Sequence, residues 1–167
     1  MASLVLYALR VGGGILALSQ MPGRDGRYAA DMEHLYEWQP GLVITLATEA
    51  ELVGHGAADL GADLQSAGTR WAHLPVADMG VPSAEVTYRW AETSARALGA
   101  LQGGGRVLVH CLGGCGRSGM AALRLMIEAG EKPDRALVRL RALRPCAVET
   151  EEQLYWALDA AGAAQKG

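Results

Sequence analysis

Apolar residues fall along this chain in two alternating patterns. Short, nearly continuous apolar runs read as buried strands, and longer runs with apolar positions three and four apart read as amphipathic helices. The strand-like runs are Leu4–Leu9, Gly14–Leu18, Leu42–Leu46, Arg70–Leu74 and Arg106–His110. Gly12-Gly13 predicts a tight turn between the first two, and Met21-Pro22-Gly23 ends that pair. Helical patterning covers Asp25–Trp38, closed by Pro40-Gly41, and resumes in a Glu- and Ala-rich stretch from Thr48. Gly68 then introduces the strand at Arg70. Ser83 is placed to cap a long helix that runs to about Leu101, with Val86, Trp90, Ala97 and Leu98 on one face. Gly103-Gly104-Gly105 stops it. Further helices are predicted over Met120–Glu128, from Pro133 at a first turn, and from Thr150. This alternation predicts an α/β fold, a single domain over residues 1–167 with a central, mostly parallel sheet flanked by helices on both faces. Ligands of such sheets bind at the carboxyl ends of the strands.

Composition narrows the partners. The 167 residues carry a net charge of −3 and only two lysines, Lys132 and Lys166, so no basic stripe exists to follow nucleic acid or an anionic membrane. No apolar run reaches the ~18 residues of a membrane span, and Leu4–Leu9 is too short for the apolar core of a signal peptide. Three cysteines, at 111, 115 and 146, do not suggest a disulfide framework, so a reducing, cytoplasmic location is expected.

The chemistry concentrates in His110-Cys111-Leu112-Gly113-Gly114-Cys115-Gly116-Arg117-Ser118-Gly119, between the last strand and a helix. A glycine-rich loop in this setting turns backbone N–H groups toward one point, and the helix aims its positive end there, which favours a phosphate-sized anion. Gly113, Gly114 and Gly116 are expected to supply positive φ angles and close backbone approach. Arg117 offers a bidentate fork for two phosphate oxygens. Cys111 lies beneath the anion, and since thiols beside a cation at a helix N-terminus titrate at roughly 3.5–7.5, it is expected to be a thiolate.

The spacing His-Cys-(x)5-Arg-Ser resembles the signature of the cysteine-dependent protein tyrosine phosphatase superfamily. Pro22-Gly23, the Val43–Leu46 strand leading to Glu49 and Glu51-Leu52, His73–Asp78 with Gly80 and Pro82, the signature itself, and Arg144 through Gln153 extend the likeness along nearly the whole chain. Together they resemble the kinase-associated dual-specificity phosphatases of the cyclin-dependent kinase inhibitor 3 type. The resemblance implies metal-independent hydrolysis of phosphoprotein monoesters, on tyrosine, threonine or serine, through a phosphocysteine on Cys111. It implies a phosphate-binding loop formed by His110, Leu112, Gly113, Gly114, Cys115 and Gly116 around that nucleophile. Departure of an alkoxide or phenolate needs an acid, and Asp78, four residues before Pro82, matches the family's acid loop. Ser118 is placed to donate to the Cys111 sulfur as it leaves, and His110 to orient the loop and help keep Cys111 ionised. Gln153 matches a glutamine that helps place the hydrolytic water, while Thr150-x-x-Gln153 also reads as a capping box. Arg24, Arg27 and Tyr28 are candidates for the rim, and equally for a solvated helix start.

Other readings stand beside this one. A sulfurtransferase of the rhodanese type also uses a loop cysteine, but Asp78, the five-residue spacing and Ser118 favour phosphate chemistry. A non-catalytic phosphoprotein-binding module would typically have lost Cys111, Arg117 or Asp78, and all are present. Cys115 reads as a small loop filler, or else as a thiol that, with Cys146 as the alternative, captures an oxidised Cys111. His110, Cys111 and Cys115 lack a second Cys/His cluster to complete four metal ligands, so neither metal nor cofactor is expected.

Overall fold

The computed structural model describes residues 2–166, with side chains through residue 160, so the terminal residues Met1 and Gly167 of the expected domain lie outside the described residues. Five strands form one sheet in the order β1-β2-β5-β3-β4: β1 (Tyr7–Val11), β2 (Gly14–Ser19), β3 (Leu42–Thr45), β4 (Arg70–His73) and β5 (Arg106–His110). β1 and β2 are an antiparallel hairpin turned at Gly12 and Gly13, both with positive φ, and every other pairing is parallel. The sheet is therefore mixed, with its parallel part at the centre.

Side chains alternate along the central strands and divide the core in two. Leu16, Leu18, Leu42, Ile44, Val107 and Val109 face α4 (Ala84–Gln102), α5 (Gly116–Glu128), α6 (Pro133–Leu143) and α7 (Glu151–Lys166). Ala17, Val43 and Leu108 face the other way, onto α1 (Tyr28–Trp38), α2 (Glu49–Gly54) and α3 (Leu60–Ser66). β5 thus lies between two apolar layers, and its carboxyl end opens at the edge of both.

Several boundaries differ from the sequence expectation, and α1 begins at Tyr28 in place of Asp25. The first strand begins at Tyr7, because the buried Asp31 carboxylate accepts the N–H groups of Ser3 and Leu4 at 2.8 and 3.0 Å and draws that segment out of the sheet. The same carboxylate accepts Gly23 N–H at 2.9 Å, which ties the Pro22-Gly23 turn to α1. The stretch from Thr48 splits at Gly54-His55-Gly56 into two helices. The helix after the signature starts four residues earlier than its apolar pattern, so Arg117 and Ser118 sit in its first turn.

α4, α5 and α7 meet around two tryptophans. Trp90 and Trp156 stack edge to face at 5.3 Å, Trp90 Nε1 donates to Glu128 at 2.8 Å, and Arg124 lies 4.2 Å over the Trp156 ring. Because Trp90 is 3 % exposed, Trp90→Ala is expected to cost about 3–5 kcal/mol of unfolding free energy. Chemical denaturation measures the loss, and Trp90→Phe should recover most of it.

Candidate active site

The end of β5 places the whole constellation. His110 is its last residue, and the chain turns through Cys111–Cys115 before entering α5 at Gly116. The N–H groups of Leu112, Gly113, Cys115, Arg117 and Ser118 have no acceptor among the described residues. At a helix N-terminus such donors favour an anion. Gly114 N–H instead points at Cys111 Sγ, 3.3 Å away, and Ser118 Oγ is also 3.3 Å from that sulfur. Cys111 is buried at the floor of a cleft of about 370 Å³, lined also by Arg24, Asp78, Met79, Leu112, Gly113, Cys115, Arg117, Arg144 and Glu149.

The glycines of the loop do different jobs from those expected. Only Gly114 has a positive φ, 76°, and an added Cβ there would meet Gln20 N and Ser19 C at 2.6 Å, so both conformation and space demand glycine. Gly113 and Gly116 have ordinary φ angles; a Cβ at Gly116 would meet the ends of the Glu149 and Gln153 side chains at 2.5 and 2.9 Å, and one at Gly113 would meet nothing within 4 Å.

Arg117 is buried, and its charge is met on one side by a carboxylate. Nη1 donates to Glu51 Oε1 at 2.7 Å and to the Val76 carbonyl at 2.8 Å, while Nη2 donates to Glu51 Oε2 at 2.9 Å. Asp78 Oδ1 lies 3.6 Å from Nη2. A guanidinium has five N–H bonds, so Nε–H and the second Nη2–H are left to form a fork toward the cleft. Burial works against the Arg117 charge, but Glu51, the Cys111 sulfur and Asp78 outweigh it and raise its pKa. Hydrogen bonds from Arg117, opposed by burial, hold the Glu51 carboxyl at about 2.

Glu51 received no role from sequence. Its signal was available in Thr48-x-x-Glu51, which forms a reciprocal capping box at α2: Thr48 Oγ1 accepts Glu51 N–H and Glu51 Oε1 accepts Thr48 N–H. The cap fixes the carboxylate; its partner lies 66 residues away.

His110 stands behind the loop, fully buried. Its Nδ1 is 3.1 Å from the Cys111 carbonyl and its Nε2 2.7 Å from Thr45 Oγ1, which also accepts Trp71 Nε1–H at 2.8 Å. One neutral tautomer satisfies every group: Nδ1–H donates to Cys111 O, and Thr45 O–H donates to Nε2. Burial holds the imidazole pKa at about 4, so the ring orients the loop as a neutral group and contributes no positive charge toward Cys111.

Asp78 sits on the rim, 73 % exposed, on the loop that follows β4. That loop is pinned by Val76 N–H on Leu46 O and by Val76 O on Arg117, and Met79 takes a left-handed φ of 62° to complete its turn. Gln153 is buried: its Oε1 accepts the N–H groups of Glu149 and Thr150, its N–H donates to Thr150 Oγ1, and its Nε2 donates to Gly80 O at 3.1 Å. It therefore caps α7 and tethers the Asp78 loop, and it does not line the cleft. Of the rim candidates, Arg24 lines the cleft, whereas Tyr28 donates to Asp63 at 2.6 Å on the α1–α3 side.

The cysteines correct the sequence reading. Cys115 and Cys146 are joined in a disulfide, and Cys111 is the free thiol. Cys115 is therefore not a loop filler, and neither thiol is available to capture an oxidised Cys111 while the bond stands. The ground for expecting a reducing compartment, a chain without disulfides, is lost with it. The pairing spans 31 positions, and an odd count of three gave no spacing from which to infer it.

A buried thiol under a cradle of N–H donors, with an arginine fork beside it and a carboxylic side chain at the rim, defines a cysteine-based phosphatase. The chain belongs to the DSP-PTPase phosphatase family of polymorphic toxin systems, whose model matches residues 19–131. No curated relative matches at the level of sequence. Among solved structures, the fold is similar to kinase associated phosphatase (KAP) carrying a serine in place of its catalytic-site cysteine, at 23% identity, TM-score 0.81, covering 99% of this chain and 97% of that one. It is also similar to Tk-PTP in its active form, at 27% identity and TM-score 0.69 with 95% of each chain covered. PTPMT1 in complex with PI(5)P is similar at 21% identity and TM-score 0.71, over 95% of this chain and 99% of that one.

The charge states generate a pH prediction. His110 is neutral when folded and protonates near 6.5 when unfolded, so the unfolded chain binds the extra proton between about pH 6.5 and 4 and stability falls as pH falls through that window. Glu51 adds a second loss between about 4.5 and 2, where the unfolded carboxyl is protonated and the folded one is not. In denaturant titrations the stability gap between wild type and His110→Asn should narrow from pH 6.5 to 4. A constant gap would show that the ring is not held neutral.

Proposed function

We propose that the enzyme hydrolyses phosphoprotein monoesters, on tyrosine, threonine or serine, through a phosphocysteine on Cys111. The observation that carries this reading is the convergence on one sulfur of Gly114 N–H and Ser118 Oγ, with the free edge of the Arg117 guanidinium opening on the same cleft. In the first step the Cys111 sulfur attacks phosphorus, the ester oxygen leaves, and Asp78 gives it a proton. Arg117 Nε–H and Nη2–H and the loop N–H groups hold the equatorial oxygens, where charge gathers in the transition state. In the second step water attacks phosphorus, Asp78 takes its proton, and the sulfur leaves with Ser118 O–H donating to it. Glu51 keeps the fork aimed by occupying its other edge. Gln153 acts by holding the Asp78 loop through Gly80, which supports a positioning role in place of water activation.

The residues between Cys111 and Arg117 are uncharged, which favours a monoester on a peptide over a ligand with several anionic groups in the loop. A cleft open at Asp78 and Met79, which are exposed, supports short alkyl phosphates as well as phosphotyrosine.

Cys111→Ser is expected to abolish turnover of an aryl phosphate while retaining phosphate binding, since a hydroxyl is not ionised at neutral pH. Substantial residual turnover would overturn the phosphocysteine route. Asp78→Asn should slow hydrolysis of alkyl phosphates and of esters of basic phenols by ~10²–10⁴, and esters of acidic phenols far less. Equal losses for all leaving groups would instead assign Asp78 to holding its loop.

A further inference from the structure

The disulfide stands in an unusual place. Cys115 belongs to the phosphate loop and caps α5, and Cys146 belongs to the connection between α6 and α7, with the two Cα atoms 5.1 Å apart. That connection grips the loop at three further points. Arg144 Nε and Nη2 donate to the carbonyls of Gly114 and Gly113 at 3.1 and 3.2 Å, Val148 N–H reaches Cys115 O at 3.4 Å, and Glu149 Oε1 accepts Gly116 N–H at 2.7 Å. In a trans peptide the C=O and the following N–H point in opposite directions. Drawing the Gly113 and Gly114 carbonyls onto Arg144 therefore turns the N–H groups of Gly114 and Cys115 away from it, and Gly114 N–H does meet the Cys111 sulfur.

The connection is not at ease in this shape. Val148, a β-branched residue, has a φ of 66°, in the left-handed region that such side chains disfavour. Arg141 holds it there by donating to the carbonyls of Ala147 and Val148, both at 2.9 Å. Without a covalent link, the backbone has reason to relax away from the loop. Cys146 is exposed, so the link is open to attack from solvent, whereas Cys111 is buried.

We propose that the Cys115–Cys146 disulfide is a redox-controlled splint for the phosphate loop. Oxidised, it seats Arg144 and Glu149 against the loop and keeps the N–H cradle set before phosphate arrives; reduced, the connection relaxes and phosphate binds more weakly. A dithiol reductant opens it in two steps. One of its thiolates attacks the exposed Cys146 sulfur, the S–S bond breaks, and Cys115 leaves as a thiolate that takes up a proton. The second thiol of the reductant then displaces Cys146, which is also protonated, so two electrons and two protons pass to the protein and the reductant leaves as a cyclic disulfide. The proposal rests on the loop being a phosphate site.

The test uses inorganic phosphate and the Cys111→Ser chain, so that oxidation of the nucleophile plays no part. Calorimetric titration before and after dithiothreitol should show binding weakened about three- to tenfold on reduction, the cost of re-ordering one or two loop residues at each encounter. Cys111→Ser/Cys146→Ser should bind with the weaker affinity in both conditions, and reoxidising the first protein with a small disulfide should restore its tighter binding. Peptide mass spectrometry reports the state of the bond in each sample. Equal affinities with the bond present and absent would overturn the proposal, even with a lower melting temperature on reduction, because a plain staple does that. Recovery of Cys115 and Cys146 as free thiols from protein prepared without reductant would also overturn it. Absence of phosphate binding in every sample would instead remove the phosphate site itself.

Discussion

The site depends on a positive charge taken out of water. Arg117 is 2 % exposed, and a guanidinium at that depth is tolerable only if its N–H groups and its charge are answered locally. Glu51 answers them in plane, through two hydrogen bonds, and the Val76 carbonyl takes a third. Because Glu51 is itself fixed by Thr48 at the start of α2, the fork is aimed by secondary structure. The Asp78 loop is fixed in turn, since the carbonyl that Arg117 holds lies two residues before Asp78. One buried charge thus sets the relative positions of three segments distant in sequence.

Behind the loop a second polar chain does its work without charge. Trp71, Thr45, His110 and the Cys111 carbonyl are linked in a line from β4 through β3 to the end of β5, and the buried imidazole stays neutral. This line crosses the parallel part of the sheet at the height where the strands end. The loop is fastened to the strands by hydrogen bonds and to the helices by Arg117 and Arg144, so the cradle has support on both sides before any ligand binds.

Much of this was legible in the residues, and the remainder was hidden for definable reasons. Hydrophobic runs located all five strands because buried parallel strands have few alternatives, and the strand–loop–helix signature located Cys111, Arg117 and Ser118 together. The shift of β1 was not visible because Leu4 is as apolar as a strand residue; what moves it is the carboxylate of Asp31, 27 positions away. Glu51, Arg144 and Glu149 do their work through long-range partners, and spacing along a chain does not encode those. The expectation of a positive φ holds at Gly114 and not at Gly113 or Gly116, because glycine in a sequence signals a special φ, close approach or neither: Gly116 is approached by the Glu149 and Gln153 side chains, and Gly113 stands in open space. The disulfide escaped for the same reason as Glu51.

A cradle made of backbone N–H groups has a consequence for the side chains that hang from it. In the proposed reaction phosphate is met by atoms that every residue other than proline carries, so at Leu112 or Cys115 recognition would ask only for a compatible backbone. Those side chains are spare, and each is free to be given a second task. In this chain Leu112 packs against the α1–α3 core and Cys115 binds the α6–α7 connection. On the proposed reading the loop carries two independent messages: its main chain specifies what is bound, and its side chains specify what the loop is anchored to.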